Sequence, residues 1–123
     1  MSTIKTTTLS TLDGTATVPV NTVVNGSAKA WVNFNGTGTV AIRASFNVTS
    51  ITDNGTGDYT VNFTTALADA NFSVAGWARV SGSGGVLAGV NDTALTTSSA
   101  RVGTLNTSGS FADALFVTVA IFR

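Results

Sequence analysis

The tetrapeptide Asn-Gly-Thr-Gly occurs twice, at 35–38 and at 54–57, and each copy adjoins runs in which apolar and polar residues alternate. Asn and Gly supply the positive φ angles that a tight reversal demands, and alternation with period two marks a strand with one buried face. Before the first turn, Ala28, Ala30, Val32 and Phe34 share one face, while Lys29, Trp31 and Asn33 share the other. After it, Val40, Ile42, Ala44, Phe46 and Val48 alternate with Ala41, Arg43, Ser45 and Asn47. Beyond Val48 the apolar phase slips to Ile51, which predicts a bulge or bend near Thr49-Ser50. The second turn, Asp53 to Asp58, leads into Tyr59–Thr64, with Tyr59, Val61 and Phe63 on one face. Two antiparallel hairpins follow, and the repeat is turn chemistry, not a solenoid.

Further strands are predicted over Phe72–Val80, Val86–Val90, roughly Ala100–Leu105 and Ala114–Phe122. In Phe72–Val80 the apolar face is Phe72, Val74, Ala78 and Val80, opposite Trp77 and Arg79. The last strand is apolar on both faces, as expected of a central strand covered on both sides, its outer face under a neighbouring subunit. The prediction is an all-β fold: an antiparallel β-sandwich or jelly-roll-like domain of about eight short strands over residues 26–123. Residues 1–25 are predicted to form an extended N-terminal arm or short strands for attachment and assembly. This arm turns at Asp13-Gly14, holds Pro19 at an edge, and ends in a loop over Asn21–Gly26. No stretch carries a convincing helical period.

Composition decides what surface such a domain presents. Only 10% of the 123 residues are charged and the net charge is zero, against about a quarter charged in ordinary soluble domains. Ser and Thr make up roughly a quarter of the chain. A chain so poor in charge is expected to be covered by partner chains, so an oligomer is predicted. The six basic residues, Lys5, Lys29, Arg43, Arg79, Arg101 and Arg123, are scattered. No basic patch for nucleic acid results. The most apolar run, Ala114–Phe122, falls far short of the about 20 residues of a membrane helix, so no membrane insertion is predicted.

The chain has no His, no Cys and no Glu. That removes the commonest general base, the thiolate nucleophile and half the carboxylate repertoire. An enzyme is therefore not predicted, nor a cofactor. Asp53 and Asp58 are the one close carboxylate pair, and they flank a turn where Asp is common for its own backbone hydrogen bonding. With Asn54 they could offer oxygens to calcium, but the spacing of a calcium loop and its distal Glu are missing, so turn formation is favoured and no metal is predicted. Ser81–Gly85 is Gly-rich but lacks the Lys and the strand-to-helix context of a phosphate cradle. It reads as an adaptable loop. Trp31, Tyr59 and Trp77, with Arg79 two positions from Trp77, are the candidate glycan-contacting residues; packing in a core or between subunits competes with that reading and outweighs it.

The stretch Asn25–Thr65 resembles a segment that recurs in bacteriophage tail-fibre and other virion proteins. The most specific pieces are Ser27-Ala28-Lys29-Ala30-Trp31-Val32-Asn33-Phe34 and Ser50-Ile51-Thr52-Asp53-Asn54-Gly55-Thr56-Gly57-Asp58-Tyr59-Thr60. A looser likeness continues through Ala70-Asn71-Phe72 to the last strand. The resemblance implies a virion component, a homotrimeric tail-fibre or tail-tip module that touches the host surface, with other virion proteins and a host glycan or protein as partners. The alternative it leaves open is a capsid decoration, cement or head-fibre protein with a purely structural role. A glycan-degrading tail spike is disfavoured by size and by the lack of Glu and His.

Overall fold

The computed structural model describes residues 1–82, 84–89 and 95–123. Among them are eleven strands and one short helix: β1 (Thr8–Ser10), β2 (Thr17–Pro19), α1 (Val20–Gly26), β3 (Ala28–Asn35), β4 (Ala41–Phe46), β5 (Val48–Gly55), β6 (Asp58–Phe63), β7 (Ser73–Val80), β8 (Gly85–Gly89), β9 (Leu95–Thr96), β10 (Ser99–Asn106) and β11 (Ala114–Phe122). The fold is all-β and its strand pairs are antiparallel. One sheet runs β4-β3-β11-β7 and the other β5-β6-β10-β8, with β9 also on β10; β1 and β2 form a separate hairpin.

The two larger sheets close on a single core. Ala30, Val32 and Phe34 of β3, Val117, Val119 and Ile121 of β11, and Ala78 of β7 come from the first sheet. Tyr59, Val61 and Phe63 of β6, and Ala100 and Val102 of β10, come from the second. The period-two pattern in β3 and β6 sends these side chains inward, and burying each Val or Phe contributes about 1.5–3 kcal/mol. Phe34 and Tyr59 meet edge to face at 5.2 Å, and Phe63 and Phe72 at 5.9 Å. Gly76 on β7 leaves room where a Cβ would lie 2.5 Å from Cδ2 of Leu87, so the edge of the second sheet packs directly on the first.

Both predicted hairpins are present. β3 pairs with β4, and β5 with β6, the latter turning through Gly55 and Gly57 at positive φ. The doubly apolar last strand is central, between β3 and β7. Its outward residues Phe116, Thr118, Ala120 and Phe122 are half-buried.

Two expectations are corrected. Val40–Val48 is not one strand: it breaks at Asn47, whose φ of 53° lies in the left-handed region that Asn tolerates. The Asn47 amide donates to the carbonyls of Lys29 (3.0 Å) and Thr65 (3.1 Å), and its Oδ1 accepts from the Thr65 N–H (2.8 Å). The chain crosses from one sheet to the other at this residue. The predicted bulge follows at once, as a register shift between Val48 and Ser50. A further bulge at Arg43 alters the facing of β4: Ile42 lies opposite Phe34, but Ala44 and Phe46 lie opposite Asn33 and Trp31.

The second correction concerns Asn21–Gly26, which is not a loop but most of helix α1. Pro19, with φ of −60°, leads into it, and Val20, Val23 and Val24 have helical spacing. The helix buries none of its residues and ends where the Ser27 N–H meets the Val23 carbonyl at 3.1 Å. In the hairpin before it, Asp13 fixes the predicted turn by accepting from the Thr11 hydroxyl (2.7 Å) and the Thr15 N–H (3.1 Å). The predicted strand Val86–Val90 is β8 as far as Gly89; Val90 lies outside the described residues, as does Ser83 of the predicted Gly-rich loop.

Candidate functional site

The outer faces of the two sheets differ in chemistry. On the five-stranded sheet, facing rows of hydroxyls and amides satisfy one another. The Asn62 amide donates to Ser50 Oγ (3.1 Å) and Thr52 Oγ1 (2.9 Å), and the Asn54 amide to Thr60 Oγ1 (2.9 Å). Beside them Asp58 accepts both forks of Arg101, at 2.8 Å from Nε and 2.5 Å from Nη2. These bonds hold the Asp58 carboxyl below its ordinary range. Asp53, its candidate partner in catalysis or calcium binding, accepts instead from the Gly55 N–H at 2.9 Å, within the turn. Among the described residues no three carboxylates gather as metal ligands.

The outer face of the four-stranded sheet is aromatic. Its register aligns Phe46, Trp31, Ala120 and Ala75 in one row across β4, β3, β11 and β7. The next row is Ala44, Asn33, Thr118 and Trp77. In the row beyond, Phe116 faces Arg79. Trp31 is 40% exposed, Phe46 55% and Trp77 54%. A shallow depression of ≈ 510 Å³ lies over this surface, between Trp31, Asn33, Thr118 and Phe122, with Ala75, Gly76 and Ala120 among its lining. Small residues on β7 and β11 leave the hollow; the large rings of Trp31 and Phe122 bound it.

Two bulges bring Arg43 onto this face. The extra residue in β4 is Arg43 itself, and the extra residue in β11 is Leu115. Leu115 O is thereby released from the ladder and accepts from Arg43 Nη2 at 2.8 Å. The guanidinium carbon then lies 4.4 Å from the Phe116 ring centroid, and Nη1 reaches Asn33 Oδ1 at 3.4 Å. Among the described residues neither Arg43 nor Arg79 makes an ion pair; the two that exist are Arg101–Asp58 and Arg123–Asp69.

The four residues picked from the sequence are thus divided. Trp31, Trp77 and Arg79 share the outer face, Trp77 and Arg79 two positions apart on β7. Tyr59 does not join them. It is 0% exposed, its ring packs on Phe34, and its hydroxyl donates toward Gly36 O (2.9 Å) and Asp113 Oδ1 (3.1 Å). Tyr59 shares its inward face with Val61 and Phe63, so alternation within β6 was the signal that placed it in the core. Arg43, Phe46 and Phe116 also belong to the outer face and were not among the candidates: alternation had Arg43 facing outward, but only the bulge in β4 turns Phe46 to the same side.

Set against protein-family models, curated proteins and solved structures, the chain finds no match in any of the three.

Proposed function

We propose that this chain is a phage virion structural protein, a tail-fibre or tail-tip subunit that works in host-surface attachment and is not an enzyme. The observation that carries the reading is the Asn25–Thr65 segment, whose likeness to tail-fibre sequences spans β3, β4, β5 and β6, strands of both larger sheets. The exposed aromatic face supports it, because Trp31, Phe46 and Trp77 stand on rigid strands and not on loops. Attachment of this kind is binding alone and asks for no acid, base or nucleophile.

In this reading the chain acts as a homotrimer within the virion, alongside other virion proteins. Residues 1–25 suit assembly: Ile4, Leu9, Leu12, Val23 and Val24 are exposed apolar side chains on a segment that pairs mainly with itself. Binding of the purified oligomer to host cells, read by flow cytometry with a fluorescent label, tests the proposal. Saturable binding to host cells and none to a resistant strain is expected. No binding to host cells, together with retention on purified capsids, would replace it by the decoration or cement reading.

A further inference from the structure

Resting on the attachment reading, the geometry points to an extended uronic-acid polysaccharide as what the outer face of the four-stranded sheet binds. Sugar rings stack on Trp77 and Trp31, and a ring-edge carboxylate lies between Arg79 and Arg43.

Charge selects the class of ligand. Strands β3, β4, β7 and β11 carry Lys29, Arg43 and Arg79 and no acidic residue. Lys29 Nζ is committed to the Val24 carbonyl. Arg43 stacks on Phe116 while its Nη2 donates to Leu115 O, which leaves part of its fork open, and Arg79 is the register partner of Phe116 on β7. One planar anion between two guanidiniums is the arrangement that arginine forks recognise.

The aromatic spacing selects the scaffold that carries the anion. Trp77 and Arg79 are about 7 Å apart along one face of β7, so a ring on Trp77 reaches Arg79 with a group at its edge. Trp31 lies across β11, one row away, at roughly 12 Å from two strand spacings and one two-residue step. That separation suits rings one sugar apart in an extended chain. Between the tryptophans lie the Thr118 hydroxyl and the Asn33 amide, which suit sugar hydroxyls. A uronic acid carries its carboxylate on the ring edge and leaves the ring faces free to stack.

A second copy of the chain fits this face less well. Like against like would set arginines against arginines. The outer face of the other sheet offers little negative charge in exchange, since Asp58 is occupied by Arg101.

The test uses the full chain in its native oligomer. Titration calorimetry measures binding to polygalacturonate oligosaccharides, to the same oligosaccharides with carboxyls reduced to alcohols, and to dextran sulfate. Polygalacturonate is expected to bind, more weakly as salt rises. Carboxyl reduction, Arg79→Ser and Trp77→Ala are each expected to weaken binding about tenfold or more, with the oligomer mass unchanged by light scattering. Failure of polygalacturonate to bind, a preference for dextran sulfate, or indifference to both substitutions would overturn the inference. So would dissociation of the oligomer by Trp77→Ala, which would make the face a subunit contact. Host-cell binding that survives Trp77→Ala and Arg79→Ser would sink this inference while leaving the attachment reading intact; polygalacturonate binding without host-cell binding would do the reverse.

Discussion

The guanidinium carbon of Arg43 lies 4.4 Å from the centroid of the Phe116 ring, joining β4 to β11 across the width of β3. The contact exists because two bulges coincide: one re-aims Arg43, the other frees the Leu115 carbonyl to receive it. Arg43→Ala is expected to lower stability by about 1 kcal/mol through the lost stacking and hydrogen bond. Arg43→Lys keeps the charge without the planar fork and is expected to fall between the two. Urea unfolding of the three proteins checks the order; equal midpoints would show that the contact contributes nothing.

Tyr59 is the only tyrosine, so its ionisation is read directly by ultraviolet absorbance. Burial, then the hydrogen bond and negative charge of Asp113, push its hydroxyl well above the ordinary value of 10.0. The neutral phenol is the form favoured in the folded state. Its contribution to stability is therefore complete below the unfolded value and is lost as pH rises through the folded one. No phenolate absorbance is expected at about pH 11 in the folded protein, with the signal rising together with unfolding. A reversible midpoint near 10 in folded protein would contradict the buried placement.

Gly36 belongs to the same arrangement. A Cβ there would stand 2.4 Å from the Tyr59 hydroxyl oxygen, so Gly36→Ala must displace the ring. A loss of about 2–3 kcal/mol is expected, against about 1 kcal/mol for Tyr59→Phe, which only removes the hydroxyl. Thermal or urea unfolding that ranked Tyr59→Phe as the worse of the two would refute this.

Much of this architecture was legible in the sequence. Alternation placed β3 and β6, Asn-Gly turns placed both hairpins, and the doubly apolar Ala114–Phe122 announced a central strand. What escaped was local and depended on partners far along the chain. Asn47 looked like one more residue of a strand, yet its side chain bridges Lys29 and Thr65. Arg43 looked outward by parity alone, but no periodicity reveals that Leu115 bulges to meet it. The helix at Val20–Gly26 was hidden by poor helix formers, Val, Asn and Thr, whose propensity argued against it. Of the candidate site, the tryptophan pair was visible as residue types. Its common face was not, because it required the order β3-β11-β7.

The crossing residue gives a separable test. Asn47→Gly keeps the positive φ but loses three hydrogen bonds, and a cost of about 2 kcal/mol is expected. Asn47→Ala loses the bonds and adds strain at φ 53°, so about 3 kcal/mol is expected. Circular dichroism melts should rank wild type, Gly, then Ala; the reverse order of the two variants would remove the strain from the explanation.

Acid stability follows from Asp58. Its hydrogen bonds with Arg101 lower its ionisation from the ordinary 3.8. A depressed carboxylate stabilises the fold above its unfolded value, and that contribution disappears as pH falls through the folded value. Asp58→Asn is expected to cost about 1 kcal/mol at neutral pH and progressively less as pH falls below the unfolded carboxylate value. Unfolding curves at neutral and acid pH that showed the same loss would contradict the ion pair as the cause.

Immunogold electron microscopy of purified virions, with antibody raised to this chain, tests the central claim most directly. Gold confined to the distal end of the tail or its fibres is the predicted result. Gold spread over the capsid would contradict it and make the chain a decoration protein.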